Sequence, residues 1–194
     1  FCGVPVHVER GVFVPRPQSE ELARRAARAV PVHGRVADLC SGAGAIAAAV
    51  THLAPSASVA ATDVDERAAR CARRNGVDVL LTDIDGGLAS RTFDVVTAVA
   101  PYVPSDAIRY LPADVQRFEP RAALDGGTDG LDIVRRVIAA AARLLIPGGS
   151  LFIELGADQA TALGPVLAVY GFATPERWYD EDGDVRGMAA LLIP

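Results

Sequence analysis

Hydrophobic and polar positions follow two regimes along the chain. Residues 4–14 alternate apolar and polar side chains and break at Glu9-Arg10-Gly11, which predicts a β-hairpin. Pro15-Arg16-Pro17 ends it. Ser19, followed by Glu20, Glu21 and a run of helical period to Val30, predicts a helix capped by the Ser19 side chain. From residue 35 onward, short apolar runs of strand length alternate with longer segments of helical period. Strands are predicted at 35–39, 58–62, 77–81, 93–98 and 150–155. Helices are predicted at 44–53, at 66–75 with Asn75-Gly76 as the stop, within 106–118, at 130–145 before Pro147-Gly148-Gly149, and at 158–170. Two weaker strands, near 174–179 and 187–192, close the chain. Strands separated by helices of this length imply βαβ units, a mostly parallel sheet and helices on both faces. No internal repeat and no long linker interrupts the pattern, so a single α/β domain is expected.

Composition sharpens this picture. With 194 residues, 51% of them hydrophobic, the chain has material for one buried sheet, and 22% charged residues argue against disorder. All 19 basic residues are Arg, scattered rather than striped, and the net charge is −5, so no direct nucleic-acid partner is expected. Cys2, Cys40 and Cys71 are odd in number and form no Cys-x-x-Cys pair. A disulfide framework or metal site is therefore not expected, and a reducing, cytoplasmic setting fits. No apolar run reaches membrane-spanning length and no signal peptide is visible, so no membrane association is expected.

The candidate chemistry gathers at the carboxyl ends of the first three strands, where ligands sit in doubly wound sheets. Asp38 lies in the first strand, immediately before Leu39-Cys40-Ser41-Gly42-Ala43-Gly44. The glycines allow a sharp turn and close approach of the backbone, and the helix that follows offers its amides to an anion. Asp63 ends the second strand, where it can accept hydrogen bonds from ribose hydroxyls. Asp83 follows the third, where an adenine amino group can be met. Gly42-Ala43-Gly44-Ala45-Ile46-Ala47 also satisfies a dinucleotide fingerprint, which makes a nicotinamide dehydrogenase the rival reading. Asp38 favours a methyltransferase instead: a pyrophosphate is repelled by a carboxylate at that place, whereas a methionine ammonium is held by it. The bland alternative is that these acids only cap helices and loops.

Longer segments carry a resemblance. Phe1-Cys2-Gly3, Phe13-Val14-Pro15-Arg16-Pro17-Gln18-Ser19-Glu20, the turn from Asp38 to Ala45, and Glu119-Pro120-Arg121-Ala122-Ala123-Leu124-Asp125-Gly126-Gly127-Thr128-Asp129-Gly130-Leu131-Asp132 are similar to the motifs of the HemK/PrmC-type protein-(glutamine) methyltransferases. Pro147-Gly148-Gly149, Ile153-Glu154 and Gln159 match the later part of that pattern. The resemblance implies a Rossmann-like sheet of seven strands, mostly parallel with the last antiparallel. It implies S-adenosylmethionine as cofactor and S-adenosylhomocysteine as product, with contacts at Cys40, Ser41, Gly42, Ala43 and Gly44, at Asp63 and Val64, and at Asp83 and Ile84. Cys40 stands where the family usually has Gly and is read as a variant, not a nucleophile. Such enzymes methylate the glutamine amide of the Gly-Gly-Gln loop in peptide release factors, and relatives act on other proteins. Family members also carry an N-terminal helical domain that helps hold the protein substrate. It is not expected here, which leaves 1–17 as a hairpin extension and 18–194 as the methyltransferase domain.

One departure bears on the acceptor. The family's Asn-Pro-Pro-Tyr is replaced by Val99-Ala100-Pro101-Tyr102. In the family the Asn side-chain oxygen and a neighbouring carbonyl orient the target amide nitrogen. Val99 accepts no hydrogen bond, and the Ala100 carbonyl still does. Three readings follow: a protein glutamine as in the family, an amine or hydroxyl of a small molecule, or a paralogue that binds cofactor without transfer. Tyr102 either lines the acceptor pocket or packs on the loop. Arg16 and Glu20 either face the site or pair at the surface. No histidine lies in a motif, so no general base is assigned.

Overall fold

A computed structural model describes residues 1–156 and 159–194. Six helices and seven strands alternate along it: α1 (Glu20–Ala29), β1 (Arg35–Leu39), α2 (Ala45–Leu53), β2 (Ser58–Asp63), α3 (Glu66–Arg74), β3 (Val79–Leu81), β4 (Phe93–Ala98), α4 (Ala113–Phe118), α5 (Asp132–Leu144), β5 (Leu145–Glu154), α6 (Gln159–Val169), β6 (Glu176–Tyr179) and β7 (Val185–Leu191). The strands form one sheet in the order β3-β2-β1-β4-β5-β7-β6. The first five run parallel, and β7 is antiparallel to both neighbours.

The central strands are apolar on both sides because both faces are covered. Ala37, Leu39, Val96, Leu151 and Ile153 join α5 and α6 in one core cluster. Val36, Val95 and Phe152 point the other way, toward Leu22, Ala26 and Val50 of α1 and α2. Helices α1, α3 and α5 present an apolar stripe inward and their arginines outward. The strand order reverses between β1 and β4, which places a crevice beyond their carboxyl ends.

Several expectations need correction. Residues 4–14 form no hairpin, and no strand is assigned there. Val6, Val8 and Val12 turn toward Ala43, Ala68 and Cys71, which accounts for the alternation. The His7 backbone is satisfied by a side chain: its N–H donates to Asn75 Oδ1 at 2.9 Å, and its carbonyl accepts from Asn75 Nδ2 at 2.8 Å. The expected ladder has therefore been replaced by a clamp. Ser19 makes no cap bond to α1, because its hydroxyl reaches Glu154 instead. Pairing of β5 starts earlier than expected, at Leu145 opposite Phe93, and resumes with shifted register at Ser150 opposite Val95, so Pro147-Gly148-Gly149 lies inside the strand as an irregularity. The start expected for the last helix, Asp158, lies outside the described residues.

Candidate active site

The turn after β1 is held from below by β2. Gly42 N–H donates to Asp63 Oδ2 at 2.7 Å, and Asp65 N–H donates to Asp63 Oδ1 at 2.9 Å. Each Asp63 oxygen keeps a further lone pair for another donor. Gly42 and Gly44 both have left-handed backbones, at φ 55° and 78°. A side chain at Gly44 would also strike Val77 and Ala72, whereas at Gly42 it would meet open space. Gly44 thus lets α2 pack on α3, and Gly42 keeps the turn open toward the crevice. Cys40 (φ 57°) and Ile84 (φ 50°) adopt the same region without being glycine.

Asp38 is 1% exposed. Its register partner on β4 is Thr97, whose hydroxyl donates to Asp38 Oδ1 at 2.7 Å. Asp38 Oδ2 and Ser41 Oγ are buried without a hydrogen-bond partner among the described residues. Burial raises the Asp38 carboxyl to about 7, and the nearby Asp63 pushes it in the same direction. Burial also raises Asp63. The Cys40 thiol is pushed up by burial and then by Asp63 and Asp38, so it stays protonated and is no nucleophile at neutral pH.

These residues surround a cavity of about 510 Å³. Asp38, Cys40, Ser41, Gly42, Ala43, Asp63, Val64, Asp83, Ile84, Val99 and Pro101 all line it, and Gly44 lies just behind. The N-terminal segment covers it with Phe1, Val12, Phe13 and Ser19. The charged side chains in its walls are five carboxylates (Asp38, Asp63, Asp65, Asp83 and Asp125) and one guanidinium, Arg136. Arg136 is already committed to Asp83 at 2.6 Å. Such a wall repels a pyrophosphate and attracts a cation. The orphaned Asp38 oxygen suits an ammonium donor, and both together fit S-adenosylmethionine, which carries an ammonium and a sulfonium.

A second cavity of about 430 Å³ adjoins the first. Val99, Phe13 and Ala123 border both. Ala100 and Tyr102 line only the second, together with Leu111, Val115 and Leu124. The Tyr102 hydroxyl is not free: it donates to Glu154 Oε1 at 2.9 Å, and burial beside that carboxylate pushes the phenol's pKa up. Burial likewise raises Glu154, against hydrogen bonds from Ser19 and Tyr102.

The loop carrying Val99-Ala100-Pro101-Tyr102 is braced by the motif at 119–132. Val103 N–H donates to the Leu124 carbonyl and Gly126 N–H to the Val103 carbonyl, both at 2.9 Å. A side chain at Gly130 would fall on the Tyr102 carbonyl. Gln159 Nε2 donates to that carbonyl at 2.8 Å. Arg16 pairs with part-buried Glu119 at 2.6 Å and stacks on Phe13, which ties the N-terminal segment to the same wall. Glu20 accepts from Cys2 N–H at 2.9 Å and so anchors the chain start rather than facing the cavity.

Sequence reasoning missed Thr97, Asn75, Arg136 and the joint role of Ser19 and Glu154. Only Asn75 carried a local signal, and that signal, Asn before Gly, reads equally as a helix stop.

Comparison with known proteins agrees with the geometry. The methyltransferase small domain family matches residues 17–106. The chain is 38% identical to the release factor glutamine methyltransferase of Geobacter sulfurreducens, covering 99% of this chain and 70% of that one. It is 34% identical to the protein of the same name from Clostridium acetobutylicum, covering 91% of this chain and 66% of that one. It thus spans about two thirds of the length of these relatives. The E. cuniculi Mtq2–Trm112 structure, described as responsible for methylating the eRF1 translation termination factor, superposes with a TM-score of 0.70 at 19% identity, over 94% of this chain and 98% of that one. At that identity the likeness speaks for the fold. The curated relatives carry the assignment, and the acidic cavity beyond β1 agrees with it: the chain belongs to the release factor glutamine methyltransferase family of S-adenosylmethionine-dependent methyltransferases.

Proposed function

We propose that the chain methylates an acceptor seated in the second cavity, that its nucleophile is an amine or hydroxyl, and that a release-factor glutamine is a poor acceptor. The observation that carries this reading is Val99 at the junction of the two cavities, where the resembled family places Asn. Bound in the first cavity, S-adenosylmethionine supplies an electrophilic methyl group whose sulfur departs as a neutral thioether. The chain's residues then need only bind and aim. Asp38 Oδ2 takes the ammonium, the amides from Cys40 to Gly44 take the carboxylate, Asp63 takes the ribose hydroxyls, and Val64, Asp83 and Ile84 border the base.

Beside the nucleophile, the Ala100 carbonyl accepts no hydrogen bond from the described residues, so it is available to the acceptor. Val99 offers none, and a primary amide held there leaves one buried N–H unpaired, at about 1–3 kcal/mol. An amide nitrogen depends on orientation for its reactivity, whereas an amine or hydroxyl tolerates the loss. A protein glutamine remains the second reading, favoured by the intact brace of Gly126, Gly130 and Gln159 on the loop.

The test is a Gly-Gly-Gln peptide with labelled cofactor, on wild type and Val99→Asn side by side. The substitution is expected to raise peptide methylation about ten-fold or more, with S-adenosylhomocysteine affinity unchanged within a few-fold. Robust methylation of the peptide by the wild type would show that Val99 is no barrier.

A further inference from the structure

Glu154 ends β5, is 3% exposed, and has no place in cofactor or acceptor binding as described. Both of its oxygens are used. Ser19 Oγ–H donates to Oε2 at 2.5 Å, and Tyr102 Oη–H donates to Oε1 at 2.9 Å. Ser19 belongs to the segment that covers the first cavity. Tyr102 belongs to the loop that walls the second. Among the described residues the two hydroxyls share no partner but this carboxylate. Neither bond is needed to build the sheet, because the β5 ladder is complete without them.

We propose that Glu154 is a positioning residue that couples the cover over the cofactor cavity to the acceptor loop, so that ordering one orders the other. A buried carboxylate shared by two hydroxyls is a stiff link, since charge-assisted hydrogen bonds are about twice as strong as neutral ones and losing either donor leaves it under-satisfied. Cofactor binding beneath Phe13 and Ser19 is then felt at Val99 to Tyr102 before any acceptor arrives.

The experiment is hydrogen–deuterium exchange on the whole chain, with S-adenosylhomocysteine as the probe. In the wild type, ligand is expected to slow exchange at 12–19 and also at 99–105. Ser19→Ala should speed exchange at 99–105, and Tyr102→Phe should speed it at 12–19, each several-fold, while β1 stays protected. In a Glu154→Ala background neither second substitution should add to the remote effect. Glu154→Gln should retain a weaker coupling, because its oxygen accepts from Tyr102 and its amide donates to Ser19 while the charge assistance is lost. Gln18 also lies beside Tyr102 in the second cavity, so all variants are repeated with Gln18→Ala to remove that direct route. Purely local effects in the single variants, or cross-effects that persist undiminished in Glu154→Ala, overturn the proposal. Should Glu154→Ala not fold, the single variants and Glu154→Gln still decide. None of these readouts depends on which acceptor is methylated.

Discussion

Asn75 grips His7 by both backbone groups, and the same Nδ2 that donates to the His7 carbonyl also donates to the Ala43 carbonyl at 2.8 Å. One side chain at the end of α3 therefore holds the N-terminal segment onto the glycine turn. Asn75→Ala removes three hydrogen bonds at a partly exposed place, each contributing about 0.5–1.5 kcal/mol. The expected outcome is a loss of about 1–3 kcal/mol in denaturant unfolding and faster proteolysis within residues 1–14. Unchanged proteolysis there would mean that Val6, Val8 and Val12 hold the segment by packing alone.

If Asp38 holds the cofactor's ammonium as proposed, cofactor affinity depends on pH. With its carboxyl raised to about 7, much of the ligand-free protein carries it protonated in mildly acidic solution. Pairing with an ammonium requires the ionised form, so affinity for S-adenosylhomocysteine should rise between pH 5.5 and 7.5. Stability of the ligand-free protein runs the other way. The folded state holds this proton more tightly than the unfolded chain, so stability falls as pH climbs from about 4 through 7. Calorimetry across that range checks the first trend and thermal melts the second. Asp38→Asn should weaken binding at least ten-fold and flatten its pH profile.

Cys40 occupies a left-handed backbone position with φ 57°. Such a conformation costs a non-glycine residue about 1–2 kcal/mol, partly offset on replacement by the roughly 0.5–1 kcal/mol entropic cost of glycine. Cys40→Gly should therefore leave stability within about 1 kcal/mol of wild type. Cys40→Val, branched at Cβ, should lose distinctly more. The thiol should react slowly with a disulfide reagent at pH 8, because burial and the carboxylates of Asp63, Asp38 and Asp83 hold its proton. Fast labelling of Cys40 at that pH would contradict the assigned environment.

Legibility in the sequence followed the range of the interaction. Strands β1 and β4 could be read to the residue because their apolar runs are short and bounded, and Asp38 and Asp63 stood out because acids at strand ends are conspicuous. The alternation at 4–14 misled because period two reports only which side is buried. It does not say whether a strand or an Asn side chain satisfies the backbone, and the Asn lies 68 residues away from His7. Ser19 misled similarly: its local pattern matched a helix cap, while its partner, Glu154, is 135 residues distant. The identity of Val99 was plain, but its station between two cavities depends on how the 119–132 segment folds back over the loop.

The reversal of strand order between β1 and β4 also divides the chain into two blocks that a lineage can vary separately. The floor of the first cavity, from Asp38 to Ile84, comes before Phe93, its far wall is added by Val99, Pro101, the 120–125 segment, Ile133 and Arg136, and the second cavity is lined almost wholly by residues after Ala98. One contiguous block can drift toward a new acceptor while the other is inherited intact, and a crossover near residues 86–92 would exchange the two between relatives. Residues 11–19 are the exception, since they border both cavities, so any such graft has to carry its own N-terminal cover to match the new wall.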